Sequence, residues 1–359
     1  MRKTLEIKSR IKDYSISFED DFKFLDELKT LNNAVWIFDR KVYDLYRSEF
    51  NEKIDKKNIF LLDALEENKC FEKLPALYDW LMRFEAKKNL TLISVGGGIV
   101  QDLTGFVAST LYRGINWIFI PTTLLAQTDS SLGSKTSLNF INFKNQIGTF
   151  YPPSRIFVYP KFLATLEPEV LYSGLGEVIK LHLMDPSRLG DVCYTQQAVR
   201  SILERLPSAG ETIHNGLRIK LDYIANDEFD TGRRNLLNYG HCFGHALESV
   251  SNYYIPHGIA VNIGIMFANK LSVLRGSLAA EKEREITQLL NLPNIGMLLR
   301  REDFDAGKIV DAMKHDKKNS GAFFTVIIPD QKFQLQKVLD VTSDEVRQII
   351  LLLVEALPF

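Results

Sequence analysis

Cysteine is scarce in this 359-residue chain: only Cys70, Cys193 and Cys242, an odd number with no C-x-x-C pair. That scarcity excludes a disulfide scaffold and a thiolate zinc cluster and points to a reducing compartment, so a cytoplasmic protein is expected. Neither sign of charge dominates, since 44 Lys and Arg against 45 Asp and Glu leave a formal net charge of -1. A chain so balanced lacks the basic field of a nucleic-acid binder, and no nucleic-acid partner is expected. The opening "MRKTLEIKSR" has no apolar core of signal-peptide type and no window reads as a membrane span, so no membrane partner is expected. Internal repeats and low-complexity tracts are lacking too.

What is present fits an enzyme of two domains. Hydrophobic content of 45% and charged content of 25% are ordinary for a globular protein, and 359 residues exceed what one core usually organises. Apolar runs "AVWIF" (34–38), "NIFLL" (58–62), "LTLISV" (90–95), "INWIFIP" (115–121) and "RIFVY" (155–159) alternate with helix-length segments, the pattern of a parallel sheet covered on both faces. After the prolines at 152, 153 and 160, helical periodicity takes over near 165–184, 194–226, 233–250, 258–275 and 279–291, with one late strand-like run, "FFTVIIP" (323–329). The expectation is an α/β nucleotide-binding domain over 1–158 followed by a mostly α-helical metal- and substrate-binding domain over 159–359.

Two stretches carry chemistry. In "SVGGGIVQDLTG" an apolar run breaks into Gly96, Gly97 and Gly98, as in a dinucleotide loop, but Gln101 stands where G-x-G-x-x-G needs its third glycine, and Asp102 follows. Downstream, reading 233–250 as one helix puts Arg234, Asn238, His241 and His245 in a sector about 60° wide. An amphipathic helix facing water would favour Lys, Glu and Gln there; this stripe instead uses two of only six histidines. His241 and His245 have the i, i+4 spacing of zinc proteases, but Cys242 replaces the glutamate of H-E-x-x-H, so peptide hydrolysis is disfavoured. His257 in "YIPHGIAV" and Glu177 in "SGLGEVIK" are further donors, and two imidazoles with one carboxylate from separate elements form a catalytic zinc set with open positions. Glu177 and Lys180, one turn apart, read by themselves as a surface ion pair.

Together, "GGGIVQDLTGF", "IPTTLLAQTDSSLGSKTS", "GEVIK", "DEFDTGRRNLLNYGHCFGHALE", "PHG" and "DKK" resemble 3-dehydroquinate synthase and the wider sugar phosphate cyclases, in order and with compatible spacing. The resemblance implies a fold similar to glycerol dehydrogenase, in which the third glycine is not required. It implies NAD as cofactor, with Gly96, Gly97 and Gly98 at the pyrophosphate, Asp102, Thr122, Thr123 and Leu125 on the cofactor side, and Glu66 and Lys69 near the adenosine ribose. Asp102 is expected to cap its helix or hold a hydroxyl. A divalent metal, zinc or cobalt, is implied on Glu177, His241 and His257, which moves His245 to the substrate.

By the same resemblance Asp129, Lys135, Lys144, Asn145, Lys180, Lys220, Asp230, Arg234, Asn238 and His245 belong to the substrate pocket. Lys317 meets phosphate, and Arg113 is presented across a homodimer interface. The implied reaction closes a small-molecule sugar phosphate into a carbocycle through transient oxidation by NAD, loss of phosphate, re-reduction and an aldol step. Arg234, Asn238 and His245 together favour an acid substrate, 3-deoxy-arabino-heptulosonate 7-phosphate, over sedoheptulose 7-phosphate or glucose 6-phosphate. Polyol dehydrogenation and a non-catalytic binding protein are the other readings. Gln101, Ser134, "FINF" (140–143), Asp230 and Ile259 depart from the family pattern.

Overall fold

A computed structural model of the chain describes residues 3–84, 88–141, 143–225, 227–314 and 323–359. Lys317 lies outside them. The chain divides into two compact units, Met1–Leu166 and Glu167–Phe359.

The first unit carries strands β1 (Thr4–Ile7), β2 (Tyr14–Phe18), β3 (Ala34–Asp39), β4 (Ile59–Leu62), β5 (Thr91–Gly96), β6 (Asn116–Pro121) and β9 (Arg155–Val158) in one sheet, ordered β1-β2-β9-β6-β5-β3-β4. Only β1 and β2 pair antiparallel; the other neighbours are parallel. Every residue of β5 is buried, as a continuous apolar run in a parallel sheet requires. Helices α1 (Phe24–Lys29), α2 (Arg40–Leu45), α3 (Arg47–Asn51), α4 (Leu74–Met82) and α5 (Gly98–Thr110) fall between the strands, and β7 (Lys135–Phe140) and β8 (Phe143–Phe150) form a separate hairpin. From β3 the chain runs outward to β4, then returns to β5 on the other side of β3. Such a reversal opens a crevice at the carboxyl ends of the two strands. Those ends are Asp39 and Gly96.

This unit extends to Leu166 because the turn Pro160–Thr165 folds back: Phe162 is buried against Tyr46, Phe22 and Tyr159. The second unit contains α6 (Pro168–Leu183), α7 (Val192–Leu203), α8 (Ala209–Ile224), α9 (His241–Val250), α10 (His257–Leu274), α11 (Ala280–Ile286), α12 (Ala306–Lys314) and α13 (Ser343–Ala356), with one antiparallel pair, β10 (Phe324–Pro329) and β11 (Leu335–Val341). By length and composition α10 could cross a membrane, contrary to expectation, but 78% of it is buried in the protein. A helix apolar on all sides and packed on all sides is a core helix.

Two segments expected as single helices are broken. Residues 194–226 form α7 and α8 around Pro207. Residues 233–250 form a 3-10 turn, Arg233–Asn238, followed by Gly240 in the left-handed region (φ 79) and then α9. The one-helix wheel is therefore wrong upstream of His241. His241 and His245 keep their i, i+4 relation; Arg234 and Asn238 reach their positions by a different backbone path.

Candidate functional site

Three helices of the second unit bring their backbones into contact through glycine. A Cβ on Gly176 of α6 would lie 1.8 Å from the Gly258 carbonyl oxygen of α10, and one on Gly258 would lie 1.6 Å from the Ser173 carbonyl oxygen. Gly264 of α10 stands equally close, 1.9 Å, to the carbonyl oxygen of Gly240 just ahead of α9. Only glycine permits such approach. The next residues along the chain from Gly176 and Gly240 are Glu177 and His241, and the residue before Gly258 is His257.

The side chains converge accordingly. Glu177 is fully buried, and its Oε1 lies 3.4 Å from His241 Nε2 and 3.6 Å from His257 Nε2. Neither oxygen of Glu177 has a hydrogen bond of good geometry among the described residues, although Lys180 closes an ion pair on Oε2. His245 completes a cluster in which one ring nitrogen from each of His241, His245 and His257 lies within 4.8 Å of the other two. Burial pushes the Glu177 carboxyl up, but Lys180 and His257 overcome it and hold it near about 2. His257 goes the other way: burial opposes its charge, yet Glu248 and Glu177 raise it to about 10. His241 is held well below its ordinary value by burial, with Lys180, His245 and His257 adding repulsion. A divalent cation between Glu177 and the two Nε2 atoms would satisfy the buried carboxylate. Two imidazole nitrogens and a carboxylate oxygen suit zinc or cobalt. Ligands about 2.0–2.1 Å from a tetrahedral ion stand about 3.4 Å apart, close to the 3.4 and 3.6 Å that separate Glu177 from His241 and His257.

The expected surface pair Glu177–Lys180 is corrected: Lys180 is 2% exposed, because α6 is buried from Gly174 to Leu183. Lys220 is buried on α8. Asn238, His241 and His245 line one cavity with Cys242, Ile327 and Lys337. Arg234 is buried and turns one guanidinium nitrogen to the Glu228 carbonyl. Asp230, in the left-handed region (φ 64), accepts from Asn235 Nδ2 through its carbonyl and carboxylate oxygens at 2.9 and 3.2 Å.

The first unit builds a second cluster. Gly97 precedes α5, and its Cβ would strike Thr123 Cγ2 at 2.8 Å; a Cβ on Gly98 would meet nothing nearer than Ser130 Oγ at 3.9 Å. The first turn of α5 is therefore packed beneath and open above, a backbone N–H cradle for an anion at the strand reversal. Thr122 Oγ1 is buried there without a hydrogen-bond partner among the described residues. Thr123 Oγ1 accepts from Ala126 N, Leu125 follows, and Asp129 lies in the next turn, Ala126–Ser130. Asp39, which sequence reasoning missed, ends β3 with its Cβ 3.3 Å from where a Gly96 Cβ would sit. An acid closing the apolar run "AVWIFD" was the available signal.

Asp102 is no helix cap. It is the fifth residue of α5, and its carboxylate accepts from Ser137 N (3.1 Å), Ser137 Oγ (2.8 Å) and Lys69 Nζ (3.1 Å). Burial pushes its carboxyl up, opposed by Lys69 and Ser137. Lys69 also donates to Asn145 Oδ1 (2.7 Å), and both Lys69 and Lys144 stand 3.8 Å from Glu66 Oε1. Glu66, Lys69, Asp102, Lys144 and Asn145 thus form one network that ties the β7–β8 hairpin to α5. Lys135 is exposed at the start of β7, and Arg113 sits at φ 64 in the turn after α5. Asp102→Ala should lower stability by about 3 kcal/mol, because it strips a buried ammonium of the carboxylate against it. Urea unfolding checks this; a loss under about 1 kcal/mol would mean the network contributes little to the fold.

Sequence and structure comparisons agree with this architecture. A family model described as 3-dehydroquinate synthase N-terminal matches residues 59–173, and its C-terminal counterpart matches 174–319. The chain is 35% identical over 345 residues, 92% of its length and 94% of the relative's, to a 3-dehydroquinate synthase of Streptococcus pyogenes serotype M3. Its fold is similar to 2-deoxy-scyllo-inosose synthase complexed with carbaglucose-6-phosphate, NAD+ and Co2+ (TM-score 0.83, 20% identity, 97% of this chain and 99% of that one). It is equally similar to a 2-epi-5-epi-valiolone synthase of Streptomyces hygroscopicus with NAD+ and Zn2+ bound (0.83, 24%, 98% and 98%). A protein from Sinorhizobium meliloti described as a probable glycerol dehydrogenase matches in fold at a TM-score of 0.63 and 16% identity, over 95% and 96% of the two chains.

Proposed function

Because the chain belongs to the 3-dehydroquinate synthase family, we propose that it is an NAD- and divalent metal-dependent lyase converting 3-deoxy-arabino-heptulosonate 7-phosphate to 3-dehydroquinate and phosphate. The observation that carries this reading is the buried Glu177 carboxylate facing two Nε2 atoms at 3.4 and 3.6 Å. When bound, the ion supplies Lewis acidity toward neighbouring hydroxyls, and NAD takes up and returns a hydride. Glu177, His241 and His257 hold the ion; Gly96, Gly97, Gly98, Asp39, Thr122, Thr123 and Leu125 receive the cofactor, with Glu66, Lys69 and Asp102 bracing its ribose side.

The remaining groups bind and orient the substrate. Arg234 uses one nitrogen on Glu228 and keeps further N–H groups for a carboxylate, which a guanidinium grips with two parallel hydrogen bonds. Asn238 and His245, which line a cavity with His241, address hydroxyls. Lys180 balances Glu177; Lys220 and Asp230 of the second unit and Asp129 of the first are assigned to the substrate, and Lys135, Lys144, Asn145 and Lys317 to its phosphate. The enzyme works as a cytoplasmic homodimer in which Arg113 reaches its partner; three free cysteines support the reducing compartment.

Incubation with the acid sugar phosphate should release phosphate with no net rise in NADH absorbance, since the hydride returns each turnover. A stoichiometric rise in NADH would replace this reading with polyol dehydrogenation. Release from sedoheptulose 7-phosphate or glucose 6-phosphate alone would favour a cyclase of another substrate, a second reading kept by the fold matches and by the departures at "FINF" and Ile259.

A further inference from the structure

Glu248 stands one helical turn beyond His245 on α9, so that His241, His245 and Glu248 follow at i, i+4 and i+7 along one face. It is 5% exposed. A carboxylate so buried is costly unless something satisfies it. Its Oε2 lies 2.9 Å from His257 Nδ1. His257 is the first residue of α10, where no preceding helical turn confines the ring. A hydrogen bond at Nδ1 does confine it: Glu248 keeps a proton on Nδ1, and Nε2, the nitrogen 3.6 Å from Glu177, is the one that would give its lone pair to an ion.

His241 is arranged in the same sense with a different partner. Its Nδ1 lies 3.1 Å from the Tyr239 carbonyl oxygen, which again leaves Nε2 toward Glu177. One ring is thus backed by a neutral carbonyl and the other by an anion. An anionic partner raises the donor strength of a ligating imidazole more than a carbonyl does.

We infer that Glu248 is a positioning residue that fixes the tautomer and orientation of His257 and sets how tightly the cluster holds its ion. The inference rests on the metal reading of Glu177, His241 and His257, so its test must separate the two. The full-length chain is titrated with Zn2+ alone against a chelating dye and, separately, with Co2+ while the visible d–d bands are recorded. The unaltered protein should bind one ion. Glu248→Ala should bind it about 10- to 100-fold more weakly and shift the Co2+ bands, because a freed ring changes the ligand field.

Glu248→Gln keeps an acceptor for Nδ1–H but drops the charge, and a loss near tenfold, at the lower end of that range, is expected. Being the same size, it also keeps the test open if the alanine variant misfolds, and circular dichroism separates loss of fold from loss of ion. Zn2+ affinity and Co2+ bands unchanged in both variants would overturn the role of Glu248 while leaving the ion site standing. Failure of the unaltered protein to take up Zn2+ or Co2+ would overturn both.

Discussion

Glu177→Gln is expected to leave a folded protein that takes up no Zn2+ under conditions that load the unaltered chain, with turnover down at least about a thousandfold. The magnitude follows from what the ion does: Lewis-acid stabilisation is worth several kcal/mol, and each 1.36 kcal/mol is a factor of ten in rate. Glutamine keeps the volume of the side chain, so α6 packs as before, but the charge that balances a divalent ion is gone. Metal analysis after gel filtration and phosphate release from the acid sugar phosphate check it. The substitution has a second consequence that distinguishes charge from packing. Lys180 is 2% exposed and pairs with Glu177, and removing one member of a buried pair costs about 3–5 kcal/mol. Adding Lys180→Met should recover most of that stability and none of the turnover. A double variant that binds Zn2+ as the unaltered protein does would remove Glu177 from the ion site.

The parts of this molecule that depend on nearby residues were legible in its sequence. Continuous apolar runs marked β3, β4, β5, β6 and β9; the inner strands among them, β3, β5, β6 and β9, are covered on both faces and leave no room for polar alternation, while β4 is a half-buried edge. β1 and β2 escaped notice: "TLEI" and "YSISF" are short and interrupted by polar residues, although only β1 lies at the edge of the sheet. The break between Asn238 and His241 was signalled by Gly240, which needs a left-handed backbone there. A wheel drawn through it mistook two elements for one. Glu248 lay in plain view seven residues beyond His241, but its partner is on the next helix, and nothing in local spacing announces a hydrogen bond between helices. Asp102 shows the same limit more strongly. Its partners are Lys69 and Ser137, 33 and 35 residues away, so the local rules offered a cap or a hydroxyl without saying whose. The ligand set needed the family resemblance, since spacing alone paired His241 with His245. The structure brings all three histidines and Glu177 together, and burial marks the carboxylate as the member with most to gain from a cation.

Gly258→Ala is expected to be the most damaging single methyl in the helical unit. Its Cβ would sit 1.6 Å from the Ser173 carbonyl oxygen, well inside any contact distance, and the obstructing atom is backbone that cannot rotate aside. Relief requires α10 to move off α6. That motion also opens the contact at Gly176, where the Gly258 carbonyl oxygen leaves 1.8 Å for a Cβ. Overpacking in a core usually costs about 1–3 kcal/mol; with backbone on both sides of the clash, a loss above about 4 kcal/mol is expected here. Zn2+ affinity should fall with it, because Glu177 and His257 are bonded to the two glycines that separate. Gly98→Ala is the matched control. Its Cβ would meet only Ser130 Oγ at 3.9 Å, and alanine favours a helix over glycine by about 0.8–1.0 kcal/mol, so it should unfold no earlier than the unaltered chain. Urea unfolding and Zn2+ titration of the two variants side by side make the comparison. A Gly258→Ala protein as stable as the Gly98→Ala one, with its ion still tightly held, would mean that α6 and α10 do not meet through glycine and that the ion site is built some other way.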